Sequence, residues 1–306
     1  MPLRYWALII GLGAVWGCSF LFNAILIREI SPLWVSAGRV TIGALICWAY
    51  FVATRRSLPA GGRVYAQLLL LGILNYAIPF ALFPFAEQHV ASSIIGVVNG
   101  LTPMTTVIVS QLWPGGERAT RNKVAGVLIG FAGAVLLAAP SFGQGSTEIV
   151  ALLAALLATC CYAVTLNYAR RFKSIDSAAV ATVSLSAAAV VMVPVALVSP
   201  CLLPWVHACS LDVPVITRPE TWGALLGIGI FSTSFSFLLV YWLLPRVGAT
   251  NLSLNTFITP ISAILLGVLV LNEGLAPIQI AGIAVIFLGL VVIDGRLLKR
   301  LRPAAT

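Results

Sequence analysis

The chain has 306 residues, of which 60% are hydrophobic and only 9% charged, with a mean hydropathy of +1.04. Soluble domains carry roughly 25% charged residues, so the expected solvent is lipid rather than water. The formal charge of +9 sits in short clusters between apolar stretches, and no contiguous basic face with interleaved aromatics exists to track a nucleic acid.

Uncharged stretches of roughly 17 to 25 residues span a bilayer. They predict helices near residues 5–27, 32–53, 64–86, 90–113, 124–142, 149–169, 177–198, 221–245, 247–272 and 274–293. The first stretch is too long for a signal-peptide core and precedes no small-residue cleavage site, so it is expected to remain as a helix. Nine windows hold no Asp, Glu, Lys or Arg, and the second holds Arg39 alone. The period-two alternation of a membrane β-barrel is absent. The fold class expected is therefore an all-α integral membrane protein.

Lys and Arg accumulate in cytoplasmic loops. With a cytoplasmic N-terminus, all eighteen basic residues fall inside except Arg28 and Arg218 outside and Arg39 within helix 2. Both termini are thus predicted to face the cytoplasm. The long outer connection, 199–220, holds Cys201 and Cys209. An oxidising periplasm would permit a disulfide between them, and free thiols are the alternative.

Helices 3 to 5 repeat in helices 8 to 10. Leu68, Leu69, Gly72, Ile73 and Thr102-Pro103 match Leu225, Leu226, Gly229, Ile230 and Thr259-Pro260 at an offset of 157 residues. Glu117, Gly126 and Gly133 match Glu273, Gly282 and Gly289 at 156. The organisation expected is two five-helix units, 1–143 and 144–306, forming one membrane domain. An odd number of spans per unit makes the repeat inverted, a form suited to alternating access around a central cavity at the midplane.

Trp16-Gly17, Pro32 followed by Arg39, Thr102-Pro103 with Glu117 and Gly126, and their echo at Thr259-Pro260, Glu273 and Gly282 form a pattern. Over residues 5–296 it resembles the EamA family of the drug/metabolite transporter superfamily, and within it the bacterial YddG-type exporters of aromatic amino acids. The resemblance implies ten helices, a cavity between the halves and metabolite export across the bacterial inner membrane. Cys160-Cys161 stand about where that family often has Trp.

Polar side chains in lipid face the bundle interior, where they either pack helices or meet solute. In helix 3, Asn75, Pro79 and Phe83 share one stripe beside Tyr76, and helix 8 answers with Ser232, Phe235 and Ser236. Asn99 and Asn255 lie near Pro103 and Pro260, whose kinks serve as hinges or as static bends. Trp16, Phe20, Tyr162 and Tyr241 offer aromatic walls or plain packing. Arg39 needs a partner, and Glu87 at the outer end of helix 3 is the expected one, either as an outer gate or as a static ion pair; snorkelling toward the interface is the third option.

All nine acids fall in loops or at span ends, and both His lie on the outer side. Proton-coupled pumps bury such groups along the pathway, so facilitated diffusion of a neutral or zwitterionic solute is expected, an aromatic or other neutral amino acid fitting best. The alternative is an exporter of organic cations coupled to a proton gradient. The sequence has no Walker motif, zinc-ligand spacing or shared His/Asp cluster, so no ATPase, cofactor or enzymatic activity is expected, and no obligate protein partner.

Overall fold

A computed structural model describes residues 2–143, 146–202, 215–252 and 254–295. Among them there is no strand, as lipid demands: a lipid-exposed backbone must satisfy its own N–H and C=O groups, which a helix does within one segment. The helices are α1 Leu3–Leu26, α2 Pro32–Ala53, α3 Gly62–Glu87, α4 Ser92–Leu112, α5 Arg121–Phe142, α6 Ser146–Phe172, α7 Ser177–Leu202, α9 Asn255–Val270 and α10 Pro277–Asp294. Between α7 and α9, α8 runs through Pro219–Gly229, Ile230–Phe235 and Ser236–Leu252. All are apolar and long enough to cross a membrane except α9, whose 16 residues reach about 24 Å of a roughly 30 Å hydrocarbon core.

Helix starts follow local chemistry. Pro32 opens α2 behind the Ser31 cap, Thr120 accepts from the Lys123 N–H at the head of α5, and Asp176 accepts from the Ala178 and Ala179 N–H groups at the head of α7. One boundary departs from expectation. Helix 8 was expected to stop at 245 and helix 9 to begin at 247, yet α8 stays helical to Leu252. The charge of Arg246 marks no loop because its guanidinium folds back on the helix, donating to the Trp242 carbonyl at 2.6 Å and stacking on the Trp242 ring.

Two helices contain a π-helical turn, α3 at Ile73–Ala77 and α8 at Ile230–Phe235. Their starts are separated by the 157-residue repeat offset. A π-turn leaves carbonyls without their usual partners. In α8 hydroxyls answer them: Thr233 donates to Ile228 O, Ser234 to Gly229 O and Ser236 to Phe231 O, at 2.8, 3.0 and 2.8 Å.

Between lipid-embedded helices packing rather than water drives association, and small residues let backbones approach. One such seam, with glycines on both helices, joins α5 to α10. A Cβ on Gly126 would stand 2.7 Å from the Gly289 carbonyl, and one on Gly282 would stand 2.8 Å from the Gly133 carbonyl. Other contacts occur in pairs that exchange when the halves are exchanged. Gly72 of α3 packs on the Ser184 carbonyl of α7, and its repeat mate Gly229 of α8 packs on Ile42 of α2. Likewise α1 crosses α9 and α6 crosses α4.

Side chains at the helix ends join the halves as well. Glu29, after α1, accepts from the backbone N–H and hydroxyl of Thr217, before α8. Asp176, after α6, pairs with Arg56, before α3, at 2.5 Å. Glu29 is held at about 2, first by the Thr217 and Thr221 hydroxyls and then by the Thr217 N–H.

Overpacking costs about 1–3 kcal/mol. Gly133→Leu and Gly289→Leu are expected to lower the melting temperature of the detergent-solubilised protein, whereas Gly11→Leu, with open space around it, leaves it unchanged. A carboxylate whose folded pKa is depressed stabilises above its unfolded pKa, and that contribution disappears as the group protonates. The melting-temperature difference between wild type and Glu29→Gln should therefore shrink as pH falls from about 4.5 towards 2.

Candidate functional site

The polar and aromatic side chains that converge between the halves come from α1, α2, α3, α6 and α8. Along α1, Trp16, Ser19, Phe20 and Asn23 form one stripe at helical spacing. Arg39 lies on the buried face of α2 and is only 6% exposed. Its Nε donates to the Thr233 hydroxyl at 2.9 Å and its Nη2 to the Ser19 hydroxyl at 3.4 Å. The guanidinium also sits over the Phe80 ring, 3.6 Å from the centroid. Thr233 is available because the π-turn places its hydroxyl on the Ile228 carbonyl, leaving the oxygen free to accept.

Arg39 does not pair with Glu87. Among the described residues the ion pairs are Arg56 with Asp176 and Lys123 with Glu117. Glu87 turns instead towards α1, where it accepts from Asn23 Nδ2 at 3.0 Å, and its Oε2 is buried with no partner. The expected joined gate is absent here because Arg39 reaches across to α8 and Glu87 to α1.

Rings fill the space around Arg39. Tyr76 contacts Phe80 and Phe237 with centroids 5.7 and 5.2 Å apart, and Trp16 contacts Phe237 at 6.2 Å. Phe83 bridges Phe20 and Tyr162 at 5.7 and 6.0 Å. Tyr76, Phe80, Phe83 and Phe20 are each at most 4% exposed. Packed rings thus occupy the level of Arg39, while Trp16, Asn75, Tyr162 and Phe237 remain half-buried. A concavity of 560 Å³ lies on the face opposite the N-terminus, where Glu87, Gln88, His89, Ser92, Arg28 and Glu273 line it. Glu87 connects its floor, through Asn23, to the α1 stripe.

The structure thus gathers Trp16, Phe20, Tyr76, Phe83, Tyr162 and Arg39. Asn75 and Ser232, repeat mates in the two π-turns, each reach the first helix of the other half: Asn75 Oδ1 accepts from the Thr165 hydroxyl of α6, and Ser232 donates to Val15 O of α1, both at 2.9 Å. Pro79, one turn beyond Asn75 in α3, is buried. Ser236 spends its hydroxyl on its own helix. Phe235 points the other way, 52% exposed on the strip that also carries Phe231, because the widened π-turn rotates it off the inner face.

Asn99 ends the first segment of α4, and its carbonyl accepts from the Thr102 hydroxyl at 2.7 Å. Pro103 follows a real break at Gly100–Leu101, whereas Pro260 lies inside a continuous α9 and Asn255 at its head is buried. The side chains of Tyr241 and Cys201, and all of Cys209, lie outside the described residues. Sequence reasoning passed over Ser19, Asn23, Phe80, Thr233 and Phe237. The first two were legible as part of the α1 stripe, and Phe80 as the residue one turn beyond Tyr76.

A guanidinium held in a low-dielectric interior by neutral hydroxyls and a ring face retains its charge demand, since only partial dipoles answer it. The arrangement suits an incoming anionic group, with rings at hand to stack a flat one.

Comparison with known proteins places this geometry in a family. An uncharacterized transporter of Archaeoglobus fulgidus is 24% identical over 95% of this chain and 99% of its own. Protein PecM of Dickeya dadantii is 23% identical over 92% of this chain and 89% of its own. An S-adenosylmethionine/S-adenosylhomocysteine transporter of Chlamydia trachomatis is 22% identical over 90% and 84%. One crystal structure shares the fold with a TM-score of 0.67, covering 99% of this chain and 100% of the other at 21% identity. The model of the EamA-like transporter family matches twice, at residues 4–139 and again at 149–294, and the chain belongs to that family of membrane transporters.

Proposed function

We propose that the protein is an alternating-access carrier that exports a small zwitterionic solute bearing a carboxylate and a flat ring, an aromatic amino acid being the type solute, by facilitated diffusion. The halves 1–143 and 144–306 insert in opposite senses into a bacterial inner membrane, with both chain ends in the cytoplasm. The single observation that carries this reading is Arg39: a buried guanidinium with no carboxylate partner among the described residues, stacked on the Phe80 ring. The solute carboxylate supplies the missing counter-charge, and Phe83, Phe20, Tyr76 and Trp16 part to stack its ring. The relative named for S-adenosylmethionine gives indirect support, because that solute also joins an amino-acid head to an aromatic ring.

The unpartnered Glu87 oxygen at the floor of the concavity favours a second reading, an organic cation exchanged for protons. A positive charge at Arg39 opposes it.

Purified protein in liposomes preloaded with unlabelled phenylalanine should take up labelled phenylalanine or tryptophan by saturable counterflow, indifferent to a pH gradient. Methyl viologen should not be taken up. Uptake of methyl viologen driven by the gradient would establish the second reading, and equal phenylalanine uptake by empty liposomes would remove the first. Arg39→Ala is expected to reduce phenylalanine counterflow at least tenfold while the protein stays monodisperse, and normal flux in that variant would sink the carboxylate role. An aromatic contact contributes about 0.5–1.5 kcal/mol beyond area, or about 2–12-fold in affinity. Phe83→Ala should raise the KM for phenylalanine by that factor and leave the KM for alanine nearly unchanged.

A further inference from the structure

The two connections that follow α4 and α9 carry repeat-related glutamates, Glu117 and Glu273, and the structure treats them differently. Glu273 crosses between the halves. Its Oε1 accepts from the Ser92 N–H at 2.8 Å and the Ser92 hydroxyl at 2.7 Å, and its Oε2 from the Ser93 N–H at 2.9 Å. These are free donors at the head of α4, where a carboxylate is favoured by both hydrogen bonding and the helix dipole. The donors are free because the chain breaks between Glu87 and Ser92.

At the opposite face the counterpart contact is missing. Glu117 is 67% exposed and pairs with Lys123 in the first turn of α5 of its own half at 2.9 Å, and this partner holds its carboxyl below the usual range. The repeat offset maps Ser92 and Ser93 onto Ala249 and Thr250. There the backbone is still helical, inside Ser236–Leu252, so its N–H groups are engaged within the helix. The sequence of that stretch, Pro245-Arg246-Val247-Gly248, contains the two residues least suited to a helix interior, so its unwinding is inexpensive.

Among the described residues, contacts at other helix ends recur in both halves. Glu29 with Thr217 on one face and Asp176 with Arg56 on the other are counterparts, and both are formed. The glutamates beside the α3–α4 and α8–α9 arms do not share that symmetry. Latches closed at both faces would leave no entrance, and latches open at both would leak.

We propose that Glu117 and Glu273 are reciprocal gate latches. In the state seen here Glu273 closes the face opposite the chain ends. In the other state residues 245–248 unwind, Glu117 leaves Lys123 for the N–H groups of Ala249 and Thr250, and Glu273 releases Ser92 and Ser93. The proposal rests on the two-half carrier reading and is independent of which solute is carried.

Spin-label distances test it without any solute. Labels at Gln88 and Val270 report the latched face, and labels at Arg118 and Arg246 the other, in protein whose native cysteines are replaced by Ser. Glu273→Ala should lengthen the Gln88–Val270 distance and shorten the Arg118–Arg246 distance. Adding Glu117→Ala should abolish the shortening while the lengthening persists. Should Glu273→Ala not yield monodisperse protein, Glu273→Gln, which keeps one acceptor oxygen, should show the same shifts at smaller amplitude. Wild-type distances in a folded Glu273 variant, or a double variant indistinguishable from the single, would overturn the proposal. Glu117→Ala alone should slow phenylalanine counterflow at least fivefold with an unchanged melting temperature, a pattern that a merely structural residue would not give. If wild-type protein moves no phenylalanine, the solute reading fails and the distance measurements still decide the latches.

Discussion

A polar group inside hydrocarbon has no water to fall back on, and each must be answered from within the chain. That constraint makes every span a helix. It also explains why widening α3 and α8 into π-turns requires neighbours: in α8 the released carbonyls are met by Thr233, Ser234 and Ser236. Arg39 is the extreme case. Among the described residues its charge is answered at hydrogen-bond and stacking distance by two hydroxyls and a ring face, the demand on which the proposed solute site rests.

Much of this was legible from the residues. Hydropathy found ten spans because lipid excludes charge over windows of about 20 residues, and paired Thr-Pro and Glu residues exposed the duplication. Arg39 stood out as the one charge within a span. The partners of these residues were not legible. Glu87 is the carboxylate nearest Arg39 in depth, but a helical wheel does not say that a π-turn will rotate Thr233 towards α2 and Phe235 away from it. The late start of α9 was hidden because a charge such as Arg246 normally marks a loop, and here it lies back on its own helix. Ser92 and Ser93 gave no sign of binding Glu273, since contacts between residues some 180 positions apart leave no local pattern.

The symmetry is instructive where it holds and where it fails. Helix crossings, π-turns and the clasps at Glu29 and Asp176 recur in both halves. The arms differ: α4 breaks at Gly100–Leu101, while its counterpart α9 is unbroken through Pro260. On the alternating-access reading proposed above, unequal shapes of two similar halves are what an inverted repeat requires.

The glycine seam between α5 and α10 also bears on how the protein is made. Each of these helices ends its own half, so α5 enters the bilayer with a bared backbone groove that cannot be filled until the last helix emerges from the ribosome. During synthesis that groove faces lipid or a neighbouring chain. Such grooves attract other small-residue helices, so the first half runs its greatest risk of mispairing in the interval before α10 arrives.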